Sequence, residues 1–249
     1  QARVALRRLR AALRLYRRVC VLPPELSACL RALAAALGPA RDLDVLCSET
    51  LPAIAPHYDD TGGWQAGMAT LAAHRAAARD TMRAAIAAAH PGAWLLDCHR
   101  WLMQRGWRAA PEAQRFVQLS PLSGWAARAL QRGHRAVLRD AVRFSTLSPP
   151  ERHGLRIRIK RQRYAVEFFE SLYPGRAHAR YRARLCLAQD ALGRANDVRV
   201  AMQQLKSLQH ELDAMGTFAL GWLAACEAGA GGGENAKHLK NFVKLRVDW

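Results

Sequence analysis

The sequence lacks most of the features that would announce a chemistry. No apolar run approaches the roughly 20 residues needed to span a bilayer, so no membrane helix is expected. Cysteine is sparse and unpaired in pattern: Cys20, Cys29, Cys47, Cys98, Cys186 and Cys226 form no CxxC and stand at no ligand spacing from a histidine. That argues against zinc and reads as a set of reduced thiols. There is no P-loop, no HExxH and no nucleophile elbow, so no catalytic residue, metal or cofactor is nominated and the chain is read as a non-enzyme. Alternating β-branched strands are scarce, whereas alanine, leucine and arginine abound, and the expected class is all-α. No secretory signal pattern is present: the first eighteen residues carry seven arginines and no apolar segment. Without an initiator methionine the chain is expected to begin inside a longer product, and it is read as soluble and cytoplasmic.

The most telling shortage is of acids. Across 249 residues, 38 Lys and Arg face 20 Asp and Glu, a net charge of +18. The imbalance is concentrated: residues 3–18 hold seven arginines and no acid, and 152–163 hold six Arg or Lys, His153 and no acid. Solvated helices ordinarily interleave Glu with Lys to gain i,i+4 pairs. A folded chain that repels itself this strongly points to a polyanionic partner: nucleic acid, an anionic membrane or a phosphate polymer.

What is present is helical punctuation and repetition. Helices are expected over 1–20, 25–37, 40–56, 64–90, 92–107, 122–145, 151–172, 177–192, 195–214, 216–228 and 236–247. Pro23-Pro24, Gly38-Pro39, Gly62-Gly63, Pro91-Gly92, Pro149-Pro150 and Pro174-Gly175 separate them. The stretch GAGGGEN at 229–235 reads as a mobile loop. RVALRRLRAALRLY (3–16) lies over RIRIKRQRYAVEFF (156–169), pairing Arg3 with Arg156, Arg7 with Lys160, Arg10 with Arg163 and Tyr16 with Phe169. ALGPARDLDV (36–45) lies over ALGRANDVRV (191–200), pairing Asp42 with Asp197. Two ordered matches at nearly equal offsets predict two related helical bundles, 1–147 and 148–249, with pseudo-twofold packing that brings the basic helices into a shared groove.

On a helix, i, i+4, i+7 and i+11 share a face. Arg3, Arg7, Arg10 and Arg14 make one such row, and His153, Arg156, Lys160 and Arg163 a second. Arg128, Arg132, Arg135 and Arg139 make a third, and Lys237, Lys240 and Lys244 a fourth. A single row is most often a solvated face, but the rows together favour a ligand. Guanidinium forks, which dominate the first three, grip phosphate oxygens two at a time. Two readings are open for His153, phosphate contact or structural support. Two are open for Asp42 and Asp197: a carboxylate favourably placed at a helix N-terminus, or a partner that orients a groove arginine.

These residues resemble the CHAD family, the conserved histidine α-helical domain. RVALRRLRAAL, HGLRIRIKRQRY and the LGPARDLDV and LGRANDV turns carry the resemblance, which spans nearly the whole chain. It implies paired helical bundles around a basic central channel that binds inorganic polyphosphate, association with polyphosphate granules in some members, and fusion to a CYTH-type triphosphate-processing domain in others. Arg3, Arg7, Arg10, His153, Arg156, Lys160 and Arg163 match the family's basic positions. The first-half histidine would fall one residue before Gln1. The ExExK pattern of CYTH catalytic domains is absent from this sequence. Nucleic-acid binding is the alternative, although the tryptophans, such as Trp94, Trp101 and Trp222, sit among apolar neighbours rather than on stacking platforms. A role as accessory domain to a triphosphate-processing enzyme is a further alternative.

Overall fold

A computed structural model describes residues 2–109, 115, 117–229, 239 and 242. Its elements, numbered in chain order, are α1 (Ala2–Leu15), α2 (Pro24–Val45), α3 (Leu51–Ile54), α4 (Thr61–Ala88), α5 (Pro91–Met103), α6 (Leu122–Val142), α7 (Pro149–Phe168), α8 (Arg176–Ser207) and α9 (Gln209–Gly229), joined by short π and 3-10 turns. The described residues contain no strand, so the chain is all-α. The expected helix 236–247 apart from Leu239 and Phe242, most of the glycine-rich loop, and Lys237, Lys240 and Lys244 lie outside the described residues.

Most of the expected breaks fall where the chain turns. Pro24, Pro91 and Pro149 each open a helix, where a missing N–H costs nothing and the fixed φ is already helical. Before α4, Asp60 accepts a hydrogen bond from the Gly63 backbone N–H at 2.9 Å. A side chain at Gly63 would drive its Cβ to 2.3 Å from the Asp60 carboxylate. Before α7, the Ser148 backbone N–H donates to Glu151 Oε2 at 2.8 Å, half of a capping box.

Two expected breaks do not occur. Gly38-Pro39 lies inside α2, and Gly193 lies inside α8, which runs on to Ser207. Proline within a helix costs about 3 kcal/mol relative to alanine. In α2, Leu30, Leu33, Ala40 and Leu43 are all buried, at spacings that keep them on one stripe either side of Pro39. Packing along that stripe overrides the local preference. Asp42 therefore lies in the last turn of α2 and Asp197 inside α8, and the reading that places them at helix N-termini is incorrect.

The chain folds into two compact units that do not follow the expected boundary at residue 147. The first takes 1–27, 97–194 and 232–249; the second takes 28–96 and 195–231. In the first unit, α6 and α7 pack through Leu130, Val137, Leu155, Ile159 and Val166, all fully buried. Tyr16 stacks on Trp125 at 5.0 Å between ring centroids and meets Phe169 edge-on at 6.2 Å. Repeat-equivalent residues of the two basic segments thus touch within one core. Of the tryptophans, Trp94 is buried, whereas Trp101 is half-buried against Trp107.

In the second unit, Leu46, Leu51, Ile54, Leu71, Leu205, Leu212 and Met215 form the core. A π turn at Leu46–Thr50 links α2 to α3, and Trp222 stacks on His57 at 4.2 Å. Gly67 meets Met215 there so closely that a Cβ would come within 2.8 Å of its sulfur.

Candidate functional site

The candidate site belongs to the first unit and is built on α7. That helix buries Leu155, Ile159, Val166 and the following Phe169 to 1% exposure or less, and each such side chain contributes about 1.5–3 kcal/mol. This apolar stripe holds α7 in place while cations line its two flanks.

Lys160 is the electrostatic centre of one flank. It is half-buried, and among the described residues it has no carboxylate partner. Burial, then the charges of Arg7, Arg156, Arg3 and Arg163, push its amino group down to about 8. Two of those arginines come from α1 and two from α7. The faces marked out by the sequence repeat therefore converge on one lysine instead of facing away from each other.

Arg163 closes the far end of this flank and is held by several partners. Its Nε donates to Gln189 Oε1 at 2.9 Å, its Nη1 pairs with Glu167, and its guanidinium lies 4.5 Å from the centroid of the Tyr164 ring. Glu167 also stands 3.5 Å from Arg8, whose guanidinium sits 5.9 Å over the Phe168 ring. His153, half-buried, shares α7 one turn before Arg156, and Arg10 is exposed on α1.

A second cationic cluster occupies the opposite flank of α7. Arg14, Arg17 and Arg18 from α1 and the turn after it, Arg132 from α6, and Arg158 and Arg161 from α7 surround a cavity of about 430 Å³. Burial and then Arg14, Arg158 and Arg17 lower the pKa of Arg161; burial and then Arg18 and Arg128 lower that of Arg132. Sequence spacing placed Arg14 and Arg132 among the candidates but missed Arg17, Arg18, Arg158 and Arg161. Arg158 and Arg161 fall off the i, i+4 row of Lys160, so only the position of α1 across α7 reveals them.

Two candidates of the third row do not line the cavity. Arg135 is exposed and does not line the cavity. Arg139 stands 3.6 Å from Asp140. Asp140 is only 1% exposed; it accepts from Arg158 Nε at 2.6 Å and lies 3.9 Å from Arg143. The absence of acids from 152–163 is thus compensated in part from α6, a link between residues 18 apart in sequence.

Beneath the cavity lies a buried polar network. Gln162 donates to the Leu130 carbonyl at 3.0 Å and to the Tyr181 hydroxyl at 3.2 Å, and His134 Nδ1 is 3.0 Å from the same hydroxyl. Burial raises the Tyr181 pKa and lowers that of His134, so both stay neutral near pH 7. Gly133 makes room for this arrangement: a Cβ there would stand 1.9 Å from Gln162 Oε1.

The described residues make an all-α fold in which α1 and α7 bring their arginines together. More specifically, the chain belongs to the CHAD family: the family model, described as CHAD domain, matches residues 1–206. It is also similar to a solved structure described as the crystal structure of the CHAD domain from the plant Ricinus communis. That match has 30% identity and a TM-score of 0.81, and covers 98% of this chain and 80% of that one. No curated protein matches the sequence. No described helix is long and apolar enough to cross a membrane.

Proposed function

We propose that this domain binds inorganic polyphosphate as a non-enzymatic module, with the strand lying along the Lys160 flank. The carrying observation is the convergence of Arg3, Arg7, Arg156 and Arg163 on a half-buried lysine. Cations held together at a cost in repulsion are stabilised by an anion that bridges them. A flexible chain with one charge per phosphate and no bases suits a row of forks, each spanning neighbouring phosphate oxygens. Affinity then falls steeply with salt as condensed counterions are released, by analogy with nucleic acids. Arg10, His153 and the lysines Lys237, Lys240 and Lys244 extend the candidate contact set. Residence in the cytoplasm at polyphosphate granules, and partnership with a fused or associated CYTH-type domain, belong to the same reading.

The experiment is retention on immobilised long-chain polyphosphate by the wild type and by the triple variant R156E/K160E/R163E, with circular dichroism to verify helicity. Loss of retention with helicity intact is expected, and unchanged retention refutes the assignment. RNA displacing the polymer at equal phosphate would give the site to nucleic acid instead. Metal-dependent phosphate release by the chain alone would make it an enzyme.

A further inference from the structure

We propose that the cavity on the other flank of α7 is a second anion site, taking a compact cluster of phosphates on a small molecule and working independently of the Lys160 flank. This goes beyond the strand-binding reading and does not rest on it.

Three observations carry the proposal. The first is uncompensated charge in a confined space. Of the six arginines at the rim, Arg158 is committed to Asp140. Arg14, Arg17, Arg18, Arg132 and Arg161 have no carboxylate partner among the described residues. Arginines that only needed hydration would diverge into water; these come from α1 with its following turn, α6 and α7 onto one opening.

The second is shape. A volume of about 430 Å³ lies within the roughly 300–1,000 Å³ of small-molecule pockets. Between the arginines the lining is mostly short side chains, Ala11, Ala129, Gly133, Ala136 and Ala165, with Leu15 and Gln162 beside them. A cationic rim with a mostly small-residue lining suits a ligand with its phosphates at the periphery of a compact frame. A threading strand would instead want a row.

The third is separation. The arginines acting on Lys160 are Arg3, Arg7, Arg156 and Arg163, whereas those acting on Arg161 and Arg132 are Arg14, Arg17, Arg18, Arg128 and Arg158. No cation belongs to both sets. On α7 the two clusters are divided by Tyr164, which is buried, and by Phe168 with Arg8 over it.

The test is calorimetry with three probes, sodium tripolyphosphate, myo-inositol hexakisphosphate and long-chain polyphosphate. The proteins are the wild type, the cavity variant R132Q/R161Q and the flank variant R156Q/K160Q. A compact probe is expected to bind the wild type at one per chain. Losing two charged forks weakens it on the order of 100-fold in the cavity variant, while the flank variant changes it less than about threefold. Tighter binding of the hexakisphosphate supports a phosphorylated ring as the ligand, and tighter binding of tripolyphosphate supports a free oligophosphate. The cavity variant relieves repulsion and is expected to melt no lower than the wild type, so a lost fold cannot mimic the result. The proposal is overturned if neither compact probe binds, or if the flank variant weakens the compact probe as much as the cavity variant does. Failure of long-chain polyphosphate alone would overturn the strand-binding reading and leave this one standing.

Discussion

The first compact unit holds 31 Lys and Arg against 10 Asp and Glu, a net charge of +21, whereas the second holds 7 against 10, a net charge of −3. The whole excess of positive charge therefore resides in one unit. The two units also use their charges differently. In the second, burial opposes ionisation of Asp44, but hydrogen bonds and charge from Arg75 and Arg79 outweigh it and hold the carboxyl below its ordinary range. Arg79 reaches that carboxylate at 2.8 Å, Arg41 reaches Glu49 at 3.1 Å, and Arg83 reaches Asp80 at 2.8 Å. In the first, cations face cations on both flanks of α7. One unit is arranged as a conventional helical surface, and the other stores repulsion between its cations.

Neutralising one carboxylate in each unit gives the largest contrast. Asp140→Asn leaves Arg158, Arg139 and Arg143 without their buried counter-charge and is expected to cost about 3–5 kcal/mol. Asp44→Asn, at a site whose side chain is 29% exposed, is expected to cost about 1 kcal/mol or less. Urea denaturation of the two variants reads the difference, and equal losses would show that Asp140 is not the anchor of the basic face.

Titration offers a sharper probe. In the folded chain Lys160 is held at about 8, against its ordinary value of 10.5. The unfolded chain thus binds the extra proton between those values. The penalty from Lys160 is complete below pH 8, and stability rises as pH climbs through the window. A bound anion works in the opposite direction, because it favours the charged amine and draws a proton in. Affinity for polyphosphate is expected to fall by up to about tenfold per pH unit above 8, and the Lys160→Met variant should lose that slope. A wild-type profile parallel to that of the variant would remove Lys160 from the site.

The smallest expected effect separates function from stability. Lys160→Gln removes one cation from the group of four arginines and is expected to raise the melting temperature by about 2–4 °C for about 1 kcal/mol, while weakening polyphosphate binding. Functional sites commonly carry such a trade-off. A variant that binds less and melts lower would mean that Lys160 is held by contacts that compensate its repulsion.

How much of this could be read in advance differs from element to element. The helical class, a helix beginning at Pro149-Pro150 to within two residues, and the row Arg156, Lys160 and Arg163 follow from short-range rules that a linear pattern displays. The continuity of α2 through Pro39 does not, because the burial of Leu33, Ala40 and Leu43 that offsets the proline depends on partners distant in sequence. Asp140 was invisible for the same reason: its partner Arg158 lies on the next helix, and no i, i+4 rule connects them. The cavity arginines were only half visible, since Arg14 and Arg132 share rows with other candidates while Arg17, Arg18, Arg158 and Arg161 acquire meaning only where α1 lies across α7.

Local composition was enough to establish an all-helical chain, a duplicated basic segment and an overwhelming positive sign, because helix propensity, periodicity and charge add up residue by residue. Tertiary packing decided which cations face one another, which carboxylate answers them, and that three separate stretches of chain make the basic unit. Coulomb energy depends on separation through space and on burial, and neither quantity is written in the order of the residues.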